Sequence, residues 1–264
     1  MARNQIQRLA ANLWVVLILV LAYGLARPWA SQMNASFSAD SSDGEPLSLH
    51  HSLSQGVIPG LGGGLQNLIA DFVWLRMNQS WAVREVSETQ NYIQLAITLD
   101  PRFFYFWRNG ARILAYDLPV WRIRSREENG YSLPSREKEA IRKEQAEQAI
   151  ALLERARLYH PDSPEVWIEI GQIQNNVLND PLAAAASFLK AAEMENAPFF
   201  AGRLHAELLR RAGLSEKAYL YYRKIYPTLP QDQPEAAREV VLMRIRDLEE
   251  ELEIPVQNQY PPEG

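Results

Sequence analysis

Across residues 65–253 apolar side chains return every three or four positions, in stretches closed by prolines, which is the period of helices with one buried face. Strict alternation, the mark of a half-buried strand, is hardly present. The pattern predicts an all-α body. Ahead of it, residues 27–59 mix Ser, Asp, Gly and Pro with scattered apolar residues and hold no period, so they read as a tether that runs to residue 64 through Gly60-Leu61-Gly62-Gly63-Gly64. A last helix is expected over Pro234 to Glu253, its exposed acidic run Glu249-Glu250-Glu251 closing the body, followed by a tail over 254–264.

The prolines recur in a fixed context. Pro101 and Pro161 each close one amphipathic stretch, and each is followed six residues later by a tryptophan, Trp107 and Trp167. Outward from Trp167 the chain gives Ile170, Gly171 and Gln174, then Ala184, Phe188 and Ala191. Ala149, Leu153, Ala156 and Pro161 keep the same frame one unit earlier, and Ala206, Gly213, Ala218, Tyr222 and Pro230 keep it one unit later. In spacing and residue type this resembles the tetratricopeptide repeat (TPR) family, with its unit of about 34 residues. The departures are one extra residue near Asn179-Asp180, Gln174 in place of a tyrosine, and Asn196 where a closing proline belongs. The resemblance implies a solenoid of about four helix pairs, over 65–103, 104–163, 164–198 and 199–232, with the final helix as its cap.

The second unit is longer than the repeat. Ser135 to Tyr159 is expected to lengthen its second helix, with Ser135 as N-cap. Asp117-Leu118-Pro119 is expected to end the first, leaving an inserted loop near 117–136 that carries Trp121, Arg122 and Arg124. Exposed aromatic and Arg side chains on a loop held by a rigid scaffold would make a docking element.

Charge divides the chain. Three of its 27 basic residues, Arg3, Arg8 and Arg27, lie in the first 30 residues, which hold no acid, and the other 24 stand against all 32 acidic ones, so the remainder is at −8. A body this acidic argues against nucleic-acid binding. Between Arg8 and Arg27 run eighteen residues, Leu9 to Ala26, with Asn12 the only strongly polar side chain. As a helix they span about 27 Å, close to the thickness of a hydrocarbon core. Residues 1–26 therefore predict a single-pass anchor in the inner (cytoplasmic) membrane, its N-terminus held in the cytoplasm by Arg3 and Arg8 and its body extracytoplasmic, in the periplasm. A cleaved signal peptide is the rival; its best site, Ala22-Tyr23-Gly24, is poor, so the uncleaved anchor is preferred. The chain has no cysteine, which excludes disulfides, a thiol nucleophile and thiolate metal sites.

Reaction chemistry is hard to find. His50, His51, His160 and His205 form no H-E-x-x-H, and His50-His51 alone supplies two ligands, so no metal or cofactor is expected. The glycines at 60–64 lack the Lys-Ser/Thr end of a phosphate loop. Phe103-Phe104-Tyr105-Phe106-Trp107 reads mostly as core, with Tyr105 its most exposed ring.

The resemblance adds a surface. In TPR proteins positions 2, 5, 9 and 12 of each unit line a groove, and here those places fall on Tyr105, Arg108, Arg112 and Ala115, then Glu165, Ile168, Gln172 and Asn175, then Phe200, Arg203, Glu207 and Arg210. Four arginines on one face of an acidic body are similar to TPR clamps for acidic peptides; Arg–Glu pairs at helical spacing are the ordinary alternative. The expected function is a membrane-anchored scaffold that binds a protein or acidic peptide, with no enzymatic activity. The rivals are an adaptor docking on an integral-membrane complex through the 120–134 loop, and an enzyme or glycan-binding accessory.

Overall fold

Helix follows helix through short connections, as the proline spacing predicts. The computed structural model describes residues 63–261 apart from 129 and 131, within the unit Leu61–Gly264. The expected membrane segment over 9–26, most of the tether and the His50-His51 pair lie outside the described residues, among which no helix is long and apolar enough to cross a membrane and no strand occurs.

The first pair is α1 (Gly63–Ala82) and α2 (Val86–Leu99). The second is α3 (Phe104–Arg112), continued through a π-turn into α4 (Leu118–Glu127), with α5 (Ser135–Ala156). Then come α6 (Pro164–Asn176) with α7 (Pro181–Ala192), α8 (Phe199–Arg211) with α9 (Ser215–Ile225), and α10 (Arg238–Glu251). Each helix packs chiefly on its neighbours in chain order, so the core is a row of interfaces rather than one centre.

The small residues of the repeat frame serve the close approach within a pair. A Cβ added to Gly171 on α6 would stand 2.9–3.3 Å from ring carbons of Phe188 on α7, which is buried and has nowhere to go. Gly171→Ala is therefore expected to destabilise the fold by about 1–3 kcal/mol through overpacking, read as a lowered thermal midpoint with unchanged helical content. The departures from the repeat have local causes as well. Asn179 and Asn196 both take positive φ, 52° and 60°, in the left-handed region that asparagine tolerates and a proline ring forbids. The extra residue ends α6 in this way, and Asp180 then caps α7 by accepting from the Ala183 N–H at 2.9 Å. Gln174 takes over the missing tyrosine's place as a bridge, accepting from the buried Ser187 hydroxyl at 2.7 Å.

Four expectations need correction. Pro119 does not end the first helix of the second pair, and the stretch expected as a loop is helical to Glu127. Proline removes one i→i−4 donor and crowds the preceding turn; the π-turn Ile113–Asp117 absorbs this, with the Leu118 N–H reaching back to the Ile113 carbonyl. Burial of Leu118, Pro119 and Ile123, the last clustered with Leu133 and Ile141, holds the continuation in place. Ser135 is the first residue of α5 and Pro134 occupies the cap position, so no side chain caps that helix. The closing helix begins at Arg238, after a 3₁₀ turn at Pro234–Ala236 and a left-handed Ala237. Finally, the described residues beyond Ile254 are no loose tail: they fold back onto α9 and α10, with the Tyr260 ring edge-on to Tyr226 at 5.2 Å.

Candidate functional site

An ion pair joins the first helices of the second and third pairs, α3 and α6. Arg112 on α3 donates to both oxygens of Glu169 on α6, Nε to Oε2 at 2.9 Å and an outer nitrogen to Oε1 at 2.6 Å. The Glu169 carboxylate is nearly buried while the Arg112 side chain is half exposed, and the two hydrogen bonds raise the guanidinium pKa above its ordinary value. One turn on, Asn176 of α6 hydrogen-bonds the Tyr116 hydroxyl, whose pKa is raised by burial.

At the groove positions expected on α8, Arg203 and Arg210 are also engaged. Arg203 donates to the carbonyls of Glu235 and Ala236, at 2.9 and 2.7 Å, and so ties the 3₁₀ turn before α10 to α8. Arg210 binds Glu207 on its own helix through two bonds of 3.1 and 2.8 Å, and Arg211 reaches the same carboxylate. These donors, Arg210 first, hold the Glu207 carboxyl below the usual carboxylate range. Thus Arg112, Arg203 and Arg210 spend their hydrogen bonds within the fold, and they do not form the open row of cations that the repeat positions suggest. Arg108 differs, since its Nε is buried without a hydrogen-bond partner among the described residues. Gln172 is half-buried, and Asn175 donates to the Asn176 amide oxygen at 2.7 Å.

Aromatic surface adjoins Arg108. Tyr105 is 42% exposed, stacked on the exposed Phe103 at 5.6 Å and edge-on to Trp74 at 5.7 Å, while Phe106 and Trp107 are buried. Phe103, expected in the core, therefore belongs to the surface. Tyr116 is a member of the face that the repeat frame misses. The frame puts Ala115 there, but the π-turn advances the helix by about one residue, so Ala115 is buried and Tyr116 is exposed.

The residues expected on the docking loop sit on α4 instead. The Trp121 ring packs edge-on to Trp81 at 6.3 Å, and Trp81 in turn donates to Asp117 at 2.9 Å. Arg122 pairs with Glu144 of α5 at 3.2 Å. Both therefore fasten α4 to its neighbours, and Arg124 is the exposed one of the three. His205 is a buried core residue with Nδ1 2.8 Å from the Ala185 carbonyl, and burial pulls its pKa down. Among the described residues no three His, Asp or Glu side chains stand close enough to hold a metal ion.

No family model matches the chain, and no curated protein matches it. The solved structures to which the chain is similar include the following two. A thermophilic TPR protein of Thermus thermophilus is 17% identical over 74% of this chain and 87% of its own, with a TM-score of 0.39. The MamA protein is 12% identical over 76% of this chain and 100% of its own, with a TM-score of 0.40.

Proposed function

We propose that the chain is a membrane-anchored scaffold whose extracytoplasmic helical body holds a protein partner on the face of its first helices, centred on Tyr105 and Arg108. The observation that carries this is the exposed aromatic pair Phe103 and Tyr105, stacked at 5.6 Å. Arg108, half-buried one turn away on the same helix, sets a positive charge beside that pair. A polypeptide segment that sets a carboxylate or carbonyl against Arg108 and an apolar side chain against Tyr105 and Phe103 satisfies both. The partner's acidity then matters at one point rather than along a clamp, because Arg112, Arg203 and Arg210 already spend hydrogen bonds on Glu169, on the Glu235 and Ala236 carbonyls and on Glu207. Attachment is by Leu9 to Ala26, whose length and flanking arginines suit a single span.

The test is co-purification from detergent-extracted membranes, comparing the intact protein with Arg108→Glu, Tyr105→Ala and Arg124→Glu. The first two are expected to lower recovery of the partner at least about tenfold, the worth of one charge-assisted contact. Recovery lost with Arg124→Glu but kept with Arg108→Glu would move the docking element to α4. N-terminal sequencing of the mature protein tests the uncleaved anchor.

A further inference from the structure

The first helix is apolar on two opposite sides. Ala70, Trp74 and Met77 bury one side of α1 in the body, whereas Leu65, Leu68, Phe72 and Leu75 are 55%, 64%, 66% and 59% exposed. At 3.6 residues per turn the exposed four fall within a sector of about 80°, centred about 170° from the buried side. This is the end of the solenoid where a preceding helix would stack. The other end is covered by α10 and the folded-back C-terminal residues, but no described residue covers this one.

We propose that this stripe pairs with the same stripe of a second copy of the chain, antiparallel, about a two-fold axis beside residue 70. Two observations select that occupant. First, the spacing of three, four and three residues reads the same in both directions, so the stripe is complementary to itself. Leu65 lies opposite the second copy's Leu75, and Leu68 opposite its Phe72, at the intervals at which helices interlock. Second, α1 carries one acid and one base, Asp71 and Arg76, in twenty residues. The two acidic bodies therefore meet where no net charge opposes them, and a face with a single cation has little to offer an anionic bilayer. The four side chains expose on the order of 500 Å² of apolar surface, over half of what one partner contributes to a standard interface; the flanking Asn67, Asp71, Arg76 and Gln79 enlarge it. Asp71 comes close to its own copy across the axis, and this repulsion limits the affinity.

The absence of cysteine makes the test clean. Full-length Leu65→Cys and Leu75→Cys chains, expressed together and oxidised in the membrane with copper phenanthroline, are expected to give a disulfide-linked dimer. Each variant alone should give less than about a tenth as much, because like positions are ten residues, or about 15 Å, apart along the pair. Phe72→Glu should weaken dimerisation at least about thirtyfold in light scattering and leave the circular dichroism spectrum unchanged, and Asp71→Asn should tighten it roughly twofold. Equal cross-linking by each variant alone would overturn the proposal, as would a monomer at all concentrations. So would a monomer that partitions onto phosphatidylcholine vesicles through these leucines, which would give the stripe to lipid.

Discussion

Trp107→Ala is expected to cost about 3–5 kcal/mol, and Trp167→Ala markedly less, although the two tryptophans hold the same place in successive repeats. Trp107 is 1% exposed, its ring is stacked on Tyr159 at 5.7 Å, and its indole N–H donates to the Pro101 carbonyl at 2.8 Å. Truncation leaves a cavity at the joint between the first and second pairs and takes the closer donor from the Pro101 carbonyl, which His160 Nε2 also approaches at 3.2 Å. Trp167 is 9% exposed and lies under two cations, with the Arg157 guanidinium carbon 4.4 Å and the Lys190 nitrogen 4.1 Å from the ring centre. Those long side chains can collapse into the space or turn to water, which lowers the cost of losing the ring. Urea titration followed by circular dichroism measures both. In a chain of stacked pairs Trp107→Ala is also expected to separate the first pair's transition from the rest, broadening the curve. Equal losses at the two sites would show that the repeat position, and not its surroundings, sets the energy.

The same contrast explains how much was legible in the sequence. Features fixed by contacts inside one helix pair were readable, because the spacing of Trp167, Gly171, Ala184 and Phe188 is itself the contact: the glycine is where the phenylalanine lies. The run past Pro119 was not readable, since a proline is locally a stop and only the burial of Leu118 and Ile123 by α5 and its neighbours reverses that. The π-turn that permits it then moved Tyr116 onto the face and Ala115 off it. The arginines misled for a related reason. Helical spacing places Arg112, Arg203 and Arg210 on one surface, but their partners come from α6, from a 3₁₀ turn thirty residues on, and from a carboxylate that three arginines approach. Position on a helix gives a side chain's direction; what fills its hydrogen bonds is set by whichever element, its own helix included, brings an acceptor within reach.

Glu249 is the most consequential of these reversals, and Glu249→Ala is expected to cost about 2–4 kcal/mol, with release of the last residues to proteases. As part of an acidic run it should be solvated, yet it is 2% exposed. The Tyr219 hydroxyl donates to it at 3.1 Å, Arg246 at 2.7 Å, and the backbone N–H of Tyr260 completes the set. Arg246 also donates to the Tyr260 carbonyl at 2.7 Å, so one carboxylate and one guanidinium clasp the folded-back chain against α10. Burial alone would raise the carboxyl pKa, but the Tyr260 N–H, Arg246 and Tyr219 outweigh it and the pKa is lowered. The ion therefore contributes stability that is fully present above the ordinary carboxylate pKa of about 4.3 and is lost as pH falls through the lower folded value. Stability of the intact protein is expected to drop below about pH 4.5, and the clasp's share of that drop disappears in Glu249→Ala. Glu250→Ala, an exposed neighbour in the same run, should leave the profile unchanged. Limited proteolysis followed by mass spectrometry separates the two effects: residues 255–261 should be cut early in Glu249→Ala at neutral pH, and in the intact protein only once the carboxylate is protonated. Early cutting in the intact protein at neutral pH would mean that the clasp does not hold, and that α10 alone closes this end of the solenoid.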